Sequence, residues 1–412
     1  MHYIGIDIGK QHHEASIVDS SGNLISKSLK FPSSHKGSNK LMDYISEHIS
    51  DENYVVGMEA TGHYWYTIYS YLISRGITVY VINPLQSDSF INLYIRQTKN
   101  DSKDSFLIAE VIRFGQFTTT TLANDNLLSL RQLCRYRANV ISARTEIKLR
   151  INTILEQIYP EYEKIFNDKY GSSSLAILEK YLLPENIAKA SIDELHDILK
   201  VNSHNRFSAG KAGELKESAI NTFGIKIAQS AFAFQLKQLI ERLKLLNNQI
   251  NELDDEIISY YNKFDCYLHT IPSLTPISAA CILAEIGDIH RFKNSSSLVA
   301  YAGIDPTVHQ SGAYCSTHNR MSKRGSSYLR HTLFLAASCC VFHGSAFNEY
   351  YLKKRAQGKH HLVAVGAVSR KLTTVVYAIL KSGKPYEAVK LALLVHSLMV
   401  HPVAVPTIPP RW

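Results

Sequence analysis

Tyr3-Ile4-Gly5-Ile6-Asp7-Ile8-Gly9 opens the chain and decides how its first quarter is read. The run is short and apolar and reads as a strand over 2–9. Asp7 stands between two isoleucines, where a carboxylate is costly unless something offsets its charge. Moving outward, Ala15-Ser16-Ile17-Val18 predicts a second strand and Asp19-Ser20-Ser21-Gly22-Asn23 a turn. A third strand follows, reaching Leu29, so the opening reads as a hairpin. A helix is expected around 36–49. The run Tyr54-Val55-Val56-Gly57-Met58-Glu59 is another strand, ending on Glu59 beside Ala60-Thr61-Gly62. A helix near 64–74, a strand over Ile77–Ile82 and helices after Pro84 complete the pattern. A hairpin followed by alternating helix and strand predicts an α/β domain over 1–120, a mixed sheet flanked by helices.

Four carboxylates in this stretch are candidates for one site: Asp7, Glu59, Asp101 and Asp104. Strand ends are where sites gather in open α/β sheets. Asp101 and Asp104 are spaced to share one helix face. Carboxylates packed together repel unless a compensating charge is present. Hard divalent cations supply it, and such a centre also cuts phosphodiesters. The bland alternative is a set of surface carboxylates and caps, with Asn100-Asp101 opening a helix.

A chain of 412 residues is long enough for two or three domains with real cores. At 45% hydrophobic and 20% charged it reads as an ordinary soluble protein, neither disordered nor a membrane protein. No uninterrupted apolar run reads as a bilayer span and no secretory signal is evident, so the expectation is a cytoplasmic protein without a membrane partner. The formal charge of +9 favours an anionic partner. Cys134, Cys266, Cys281, Cys315, Cys339 and Cys340 lack CxxC spacing, so reduced cysteines are expected, several of them in cores.

Residues 127–162 read as one long helix, with Arg131, Arg135, Arg137, Arg144, Lys148 and Arg150 among its leucines and isoleucines. Residues 163–225 read as an inserted helical segment. Leu236, Leu239, Leu243, Leu246, Ile250, Leu253 and Ile257 then recur at alternating three- and four-residue steps. That is a coiled-coil seam, to be covered by the first long helix or by another protomer. The division is therefore 1–120, a long-helix region over 121–265, a compact helical domain over 266–390 and a flexible tail over 391–412.

Three further features carry chemistry. Ile271-Pro272-Ser273-Leu274-Thr275-Pro276 leads into a small-residue helix and resembles half of a phosphate-gripping helix-hairpin-helix, or a plain packing turn. Gly303-Ile304-Asp305-Pro306-Thr307-Val308-His309-Gln310-Ser311-Gly312 places a serine in an exposed loop. Serine is a weak nucleophile unless a base or metal activates it. Met321-Ser322-Lys323-Arg324-Gly325, followed by Tyr328-Leu329-Arg330, adds Lys323, Arg324 and Arg330. With Arg131, Arg135 and Lys148 they are the candidate nucleic-acid contacts. The pairs His12-His13 and His360-His361 read as solvated, and Tyr64 and Trp65 as core.

Together these motifs resemble the DEDD transposases of bacterial insertion sequences, the "one-ten" family of bridge-RNA-guided serine recombinases. Gly5-Ile6-Asp7, Glu59-Ala60-Thr61-Gly62 and Asp101-Ser102-Lys103-Asp104 match the order and spacing of its RuvC-like domain. Gly303–Pro306, Gln310-Ser311-Gly312, Ser322–Gly325 and Tyr328–Arg330 match its C-terminal transposase domain. The resemblance implies a ribonuclease H-like fold in which Asp7, Glu59, Asp101 and Asp104 hold Mg2+ or Mn2+. It implies that Ser311 forms a covalent phosphoserine link with DNA. It also implies a noncoding guide RNA pairing with element ends and target, a homo-tetramer with shared active sites, and a bacterial protein on the nucleoid when active. The segment 163–225 is longer than the smallest members need.

Rival readings share some of these residues. A Holliday-junction-resolvase-type nuclease would use the same acids with water as nucleophile and would make no covalent adduct. An actin-like kinase would need further glycine-rich phosphate loops, and none is convincing here. A non-catalytic scaffold would tolerate loss of the acids.

Overall fold

The computed structural model describes residues 1–50, 53–59, 62–82, 101–115, 125–307, 310–311, 314–315, 320–342 and 346–387. The side chains of Asp101, Gln310, Ser311, Tyr314 and Cys315 lie outside that description, as do the expected helices after Pro84, His309 and the tail. The chain divides into two compact units, Met1–Ala123 and Asn124–Trp412.

The first unit comprises β1 (His2–Ile8), β2 (His12–Val18), β3 (Leu29–Pro32), α1 (His35–His48), β4 (Tyr54–Glu59), α2 (Trp65–Ser74), β5 (Val79–Ile82) and α3 (Asp101–Phe114). The sheet order is β3-β2-β1-β4-β5. β1 pairs antiparallel with β2 and parallel with β4, and β4 pairs parallel with β5. This mixed sheet, helical on both faces, is consistent with the RuvC-like domain that the resemblance implies.

The third strand lies later than expected. Asp19 Oδ1 accepts from the amides of Ser21 and Asn23, both at 2.8 Å, which closes the turn tightly. Beyond a single bridge, Val18 to Leu24, the chain leaves the ladder until Leu29. In between, Ser26 bonds to Tyr44 and Ser28 to Glu14 instead of continuing the strand.

Strand alternation divides the sheet into two faces. Ile4, Ile6 and Ile8 join Val56, Met58 and Val81 in a core closed by α1 and α2, through Leu41, Ile45, Trp65, Ile68 and Leu72. On the other face Tyr3, Val55 and Ile82 meet Ile108, Val111 and Ile112 of α3. Here Gly5 and Gly57 are register partners. A Cβ on Gly5 would lie 2.0 Å from the Ser105 carbonyl and 2.4 Å from the Ala109 nitrogen. A Cβ on Gly57 would lie 2.8 Å from the Ile112 side chain. The two glycines therefore let α3 rest directly on the strands.

In the second unit α4 (Asp125–Ile158) and α10 (Gln229–Tyr261) run antiparallel. Ile154, Leu155 and Ile158 share a core with Leu236, Leu239 and Leu243, while Val140 meets Ile250 and Leu253. The seam of α10 is thus covered within the chain, and all of it is buried except Leu246, which is half-buried. Each such aliphatic side chain contributes about 1.5–3 kcal/mol by burial. Between these helices lie α5 (Tyr162–Ile165), α6 (Ser172–Tyr181), α7 (Pro184–Lys189), α8 (Ile192–Asn202) and α9 (Ala209–Ile220). They close on the buried Tyr159 and Tyr162, whose hydroxyls donate to the carbonyls of Leu215 and Ser174, both at 3.1 Å.

Then follow α11 (Pro276–Ile286), α12 (Ser295–Ala302), the two-residue strands β6 (Gln310–Ser311) and β7 (Tyr314–Cys315), α13 (Ser327–Cys340), α14 (Ala346–Ala356) and α15 (His361–Ser382). By length and composition alone α15 could cross a bilayer, against the sequence expectation. Its apolar window is 61% buried inside the protein, as in the core helix of a globular domain. Two other expectations change or hold. His13 is buried against Phe31 rather than solvated. Cys134, Cys266 and Cys340 are buried, as expected.

Replacing Gly5 with Ala is expected to destabilise the first unit by about 3 kcal/mol, the upper part of the overpacking range. Gly213→Ala, in open space on α9, is expected to stabilise by about 0.5–1 kcal/mol. Urea unfolding of the two variants checks both.

Candidate active site

Asp7 lies two residues beyond Gly5, and Glu59 two beyond Gly57, so both project to the face that α3 covers. Because Ile6 pairs with Met58, Asp7 and Glu59 are adjacent at the carboxyl ends of parallel strands. Helix α3 runs back along β1. Its Ser105 and Ala109 lie over Gly5, and its Arg113 reaches Gly22 in the turn near the start of β1. The first turn of α3 is therefore at the end of the sheet that bears Asp7 and Glu59.

Four-residue spacing assigns the rows of this helix. Asp101, Ser105 and Ala109 form the row above β1. Asp104, Ile108 and Ile112 form the row above Gly57 of β4. The first row is further fixed by Ser105 Oγ and Ser16 Oγ at 2.7 Å. Asp7, Glu59 and Asp104 are all half-buried.

Glu14, which sequence reading passed over, pairs directly with Asp7 across the hairpin and so lies on the same face. Its Oε1 accepts from Ser28 Oγ at 2.5 Å, and Lys30 is its neighbour on β3. Hairpin register was the signal that could have found it. Among the described residues no three His, Cys, Asp or Glu side chains close into a ready metal cluster. The donors nonetheless fit a hard cation in type, being all carboxylate, and in placement at one end of one sheet face.

The serine motif lies in the second unit. Gly303–Thr307 and Arg320–Ser326 run side by side as the arms of a stem. Its rungs are Thr307 N to Arg320 O at 2.7 Å, Ser322 N to Asp305 O at 2.9 Å and Lys323 N to Gly303 O at 3.0 Å. Side chains lock the stem. Asp305 accepts from Ser322 Oγ and from Arg324 Nη2, the latter at 2.7 Å. Burial alone would raise the Asp305 carboxyl, but these partners outweigh it and hold it below its ordinary value. A Cβ on Gly303 would lie 2.0 Å from Arg324 O, and one on Gly325 1.8 Å from Tyr301 O, and both residues have positive φ. Between the two arms in sequence, Gln310 pairs with Cys315 and Ser311 with Tyr314. Ser311 therefore occupies the last paired position before Gly312 and Ala313.

The candidate nucleic-acid residues differ in their partners. Arg131 Nε donates to Ala284 O at 2.7 Å. Arg135 grips Glu285 with two bonds, 2.6 and 3.0 Å, and lies over the Tyr328 ring. Lys148 sits over the Tyr170 ring at 4.7 Å. Arg330 Nη1 donates to the carbonyls of Ala302 and Arg324. Lys323 and Arg324 are exposed. Glu285, also missed in the sequence, is 2% exposed and additionally accepts from Ser326 Oγ at 2.7 Å. Its position inside an apolar helix, Ile282-Leu283-Ala284-Glu285-Ile286, was the available signal.

Comparison with known proteins bears on both motif groups. A family model for the DEDD transposase of IS110, described as a transposase, matches residues 4–160. Another, described as transposase IS116/IS110/IS902 family, matches residues 266–352. The chain is 25% identical over 398 residues to an insertion element IS110 protein of Streptomyces coelicolor, covering 94% of this chain and 95% of that one. It is 24% identical over 388 residues to an IS116 protein of Streptomyces clavuligerus, covering 93% and 95%. It is 23% identical over 387 residues to a pilin gene-inverting protein of Moraxella bovis, covering 93% and 97%. Fold, motifs and matches define a class, the DNA transposases and recombinases. The chain belongs to the IS110/IS116 family of insertion-sequence transposases.

Burial alone would raise the Glu285 carboxyl, but Arg135, Ser326 and Arg131 together hold it below its ordinary 4.5. A depressed carboxylate contributes stability above its unfolded value, and that stability is lost as pH falls through the folded value. Arg135→Ala is expected to cost about 3 kcal/mol at neutral pH, the lower end for stranding a buried charge, because Arg135 itself stays partly solvated. The stability gap between wild type and Glu285→Gln is expected to shrink as pH falls below 4.5. Urea titrations across that range test both statements.

Proposed function

We propose that this transposase cuts and rejoins DNA through a covalent phosphoserine at Ser311, on element ends and targets selected by a noncoding RNA. The observation that carries the reading is the arrangement of Asp7, Glu59, Asp101 and Asp104. Asp7 and Glu59 end two neighbouring strands of one sheet face, and Asp101 and Asp104 begin the helix that Gly5 and Gly57 let lie close on that face. Those carboxylates would hold Mg2+ or Mn2+, which when bound polarises the scissile phosphate and makes a nearby hydroxyl easier to deprotonate.

The remaining steps belong to the chain. Ser311 Oγ attacks phosphorus, the Oγ–P bond forms and the bond to the adjoining nucleotide's oxygen breaks. That oxygen leaves with a proton as a hydroxyl. A hydroxyl end from the other strand then attacks the phosphoserine and releases Ser311. One ester replaces another at each stage, so no nucleotide hydrolysis is required. A paired strand position for Ser311, in the segment between arms braced by Asp305, Ser322 and Arg324, suits a nucleophile that must reach a large duplex. Exposed Lys323 and Arg324 are suited to backbone phosphate, while Arg131, Arg135 and Arg330 brace the fold that presents them.

On this reading residues 121–265 are the connecting helices, 266–390 the serine-bearing domain and 391–412 a tail. Four chains assemble in the bacterial cytoplasm, on the nucleoid when active, and each site combines the acids of one protomer with the serine of another. Ser311→Ala and Asp7→Asn are each expected to reduce excision of a plasmid-borne element by about 100-fold or more. Co-expression of the two variants is expected to restore part of it, since mixed assemblies contain sites with both groups intact. Wild-type excision by Ser311→Ala contradicts the serine assignment. Absence of restoration contradicts the shared site.

A further inference from the structure

At the foot of the serine-bearing stem is a cavity of about 440 Å3. Asp305 and Pro306 form one wall, Ser295 and Ser296 at the start of α12 another, and Arg370 and Lys371 of α15 the floor. Both cations are half-buried, and among the described residues neither side chain makes a hydrogen bond or an ion pair. Burial lowers the Lys371 ammonium, as expected of a cation whose lost hydration nothing replaces. The carboxylate in the wall does not neutralise them, because Asp305 is already engaged by Ser322 and Arg324. Asn294 caps α12 through the amide of Ser297, so the first-turn amides of Ser295 and Ser296, two residues that line the same cavity, lack an acceptor within the helix. The cavity thus gathers two uncompensated positive charges and neutral donors without a matching anion.

We propose that Arg370 and Lys371 bind a backbone phosphate of the DNA strand on which Ser311 acts. The assignment rests on the reading of Ser311 given above. Ser311 lies five positions beyond Pro306, a reach of at most about 18 Å when extended. Phosphates recur every 3.4 Å or so along one strand, so the gripped phosphate lies within about five nucleotides of the one attacked. Both residues fall outside the two family-matched spans, which end at residue 352. Phosphate contacts of this kind fix register and carry no sequence information.

The test uses the full-length protein and a fluorescent 40-base-pair duplex bearing an element end, titrated at several salt concentrations. Arg370→Gln and Lys371→Met are each expected to weaken binding several-fold. Each is expected to lower the slope of log affinity against log salt by about one, while Lys371→Arg retains the wild-type slope. Neither is expected to lower the thermal midpoint, since an uncompensated half-buried cation does not support the fold. An unchanged slope in both variants, or a loss of affinity that merely follows a lowered midpoint, overturns the proposal. The same titration with single-stranded RNA separates the sources of phosphate, and a slope change confined to RNA overturns the assignment to DNA. Failure of the serine reading is distinguishable. It would appear as normal recombination by Ser311→Ala, with the duplex slopes unaffected.

Discussion

The close seating of α3 on β1 and β4 is the constraint from which the acidic site follows. Two glycines in register remove the side chains that would otherwise hold the helix away, and backbone atoms of Ser105 and Ala109 occupy the space. The same two strands, two residues further on, carry Asp7 and Glu59. One device therefore sets both the height of the helix and the alignment of its first turn with the strand ends. The arrangement concentrates like charge, with Glu14, Asp7 and Glu59 abreast on three neighbouring strands. A protein maintains such a row only where a cation or another partner offsets it.

The helical unit solves a different problem, which is to hold a thin hairpin stem rigid from below. Glu285 does much of this. It is a buried carboxylate joined to Arg135 on one long helix and to Ser326 at the cap of α13. Ser326 in turn ends the stem arm and caps α13 by accepting from Leu329 N. Packing of α4 and α11 is thereby tied to the stem arm Arg320–Ser326. The basic residues of α4 that looked most like nucleic-acid contacts are partly spent on this internal bracing.

Much of the fold was legible because period and punctuation agreed. The isoleucines of β1, the Gly-Asn turn and the heptad-spaced leucines of α10 each carry a strong local signal. Local pattern does not report where partners sit across long sequence separations. Arg135 and Glu285 are 150 residues apart, and nothing in the basic character of α4 distinguishes a bracing arginine from one left for DNA. Tertiary pairing likewise decided that His13 is buried and that β3 begins at Leu29. The four acids were found by motif. The face shared by Asp7 and Glu59 became visible only once Gly5 and Gly57 were seen in register. The apolar helix α15 was underread for a similar reason, since Arg370 and Lys371 interrupt its run.

The central claim is that metal-assisted chemistry at the acidic face and a serine ester act in one reaction. Covalent trapping tests it most directly. Protein, magnesium, end-labelled element DNA and RNA from the flanking noncoding region are mixed and resolved on a denaturing gel. The account predicts label migrating with the protein, absent in both Ser311→Ala and Asp7→Asn. Cleaved DNA with no protein-linked label would contradict it and would indicate a nuclease that uses water.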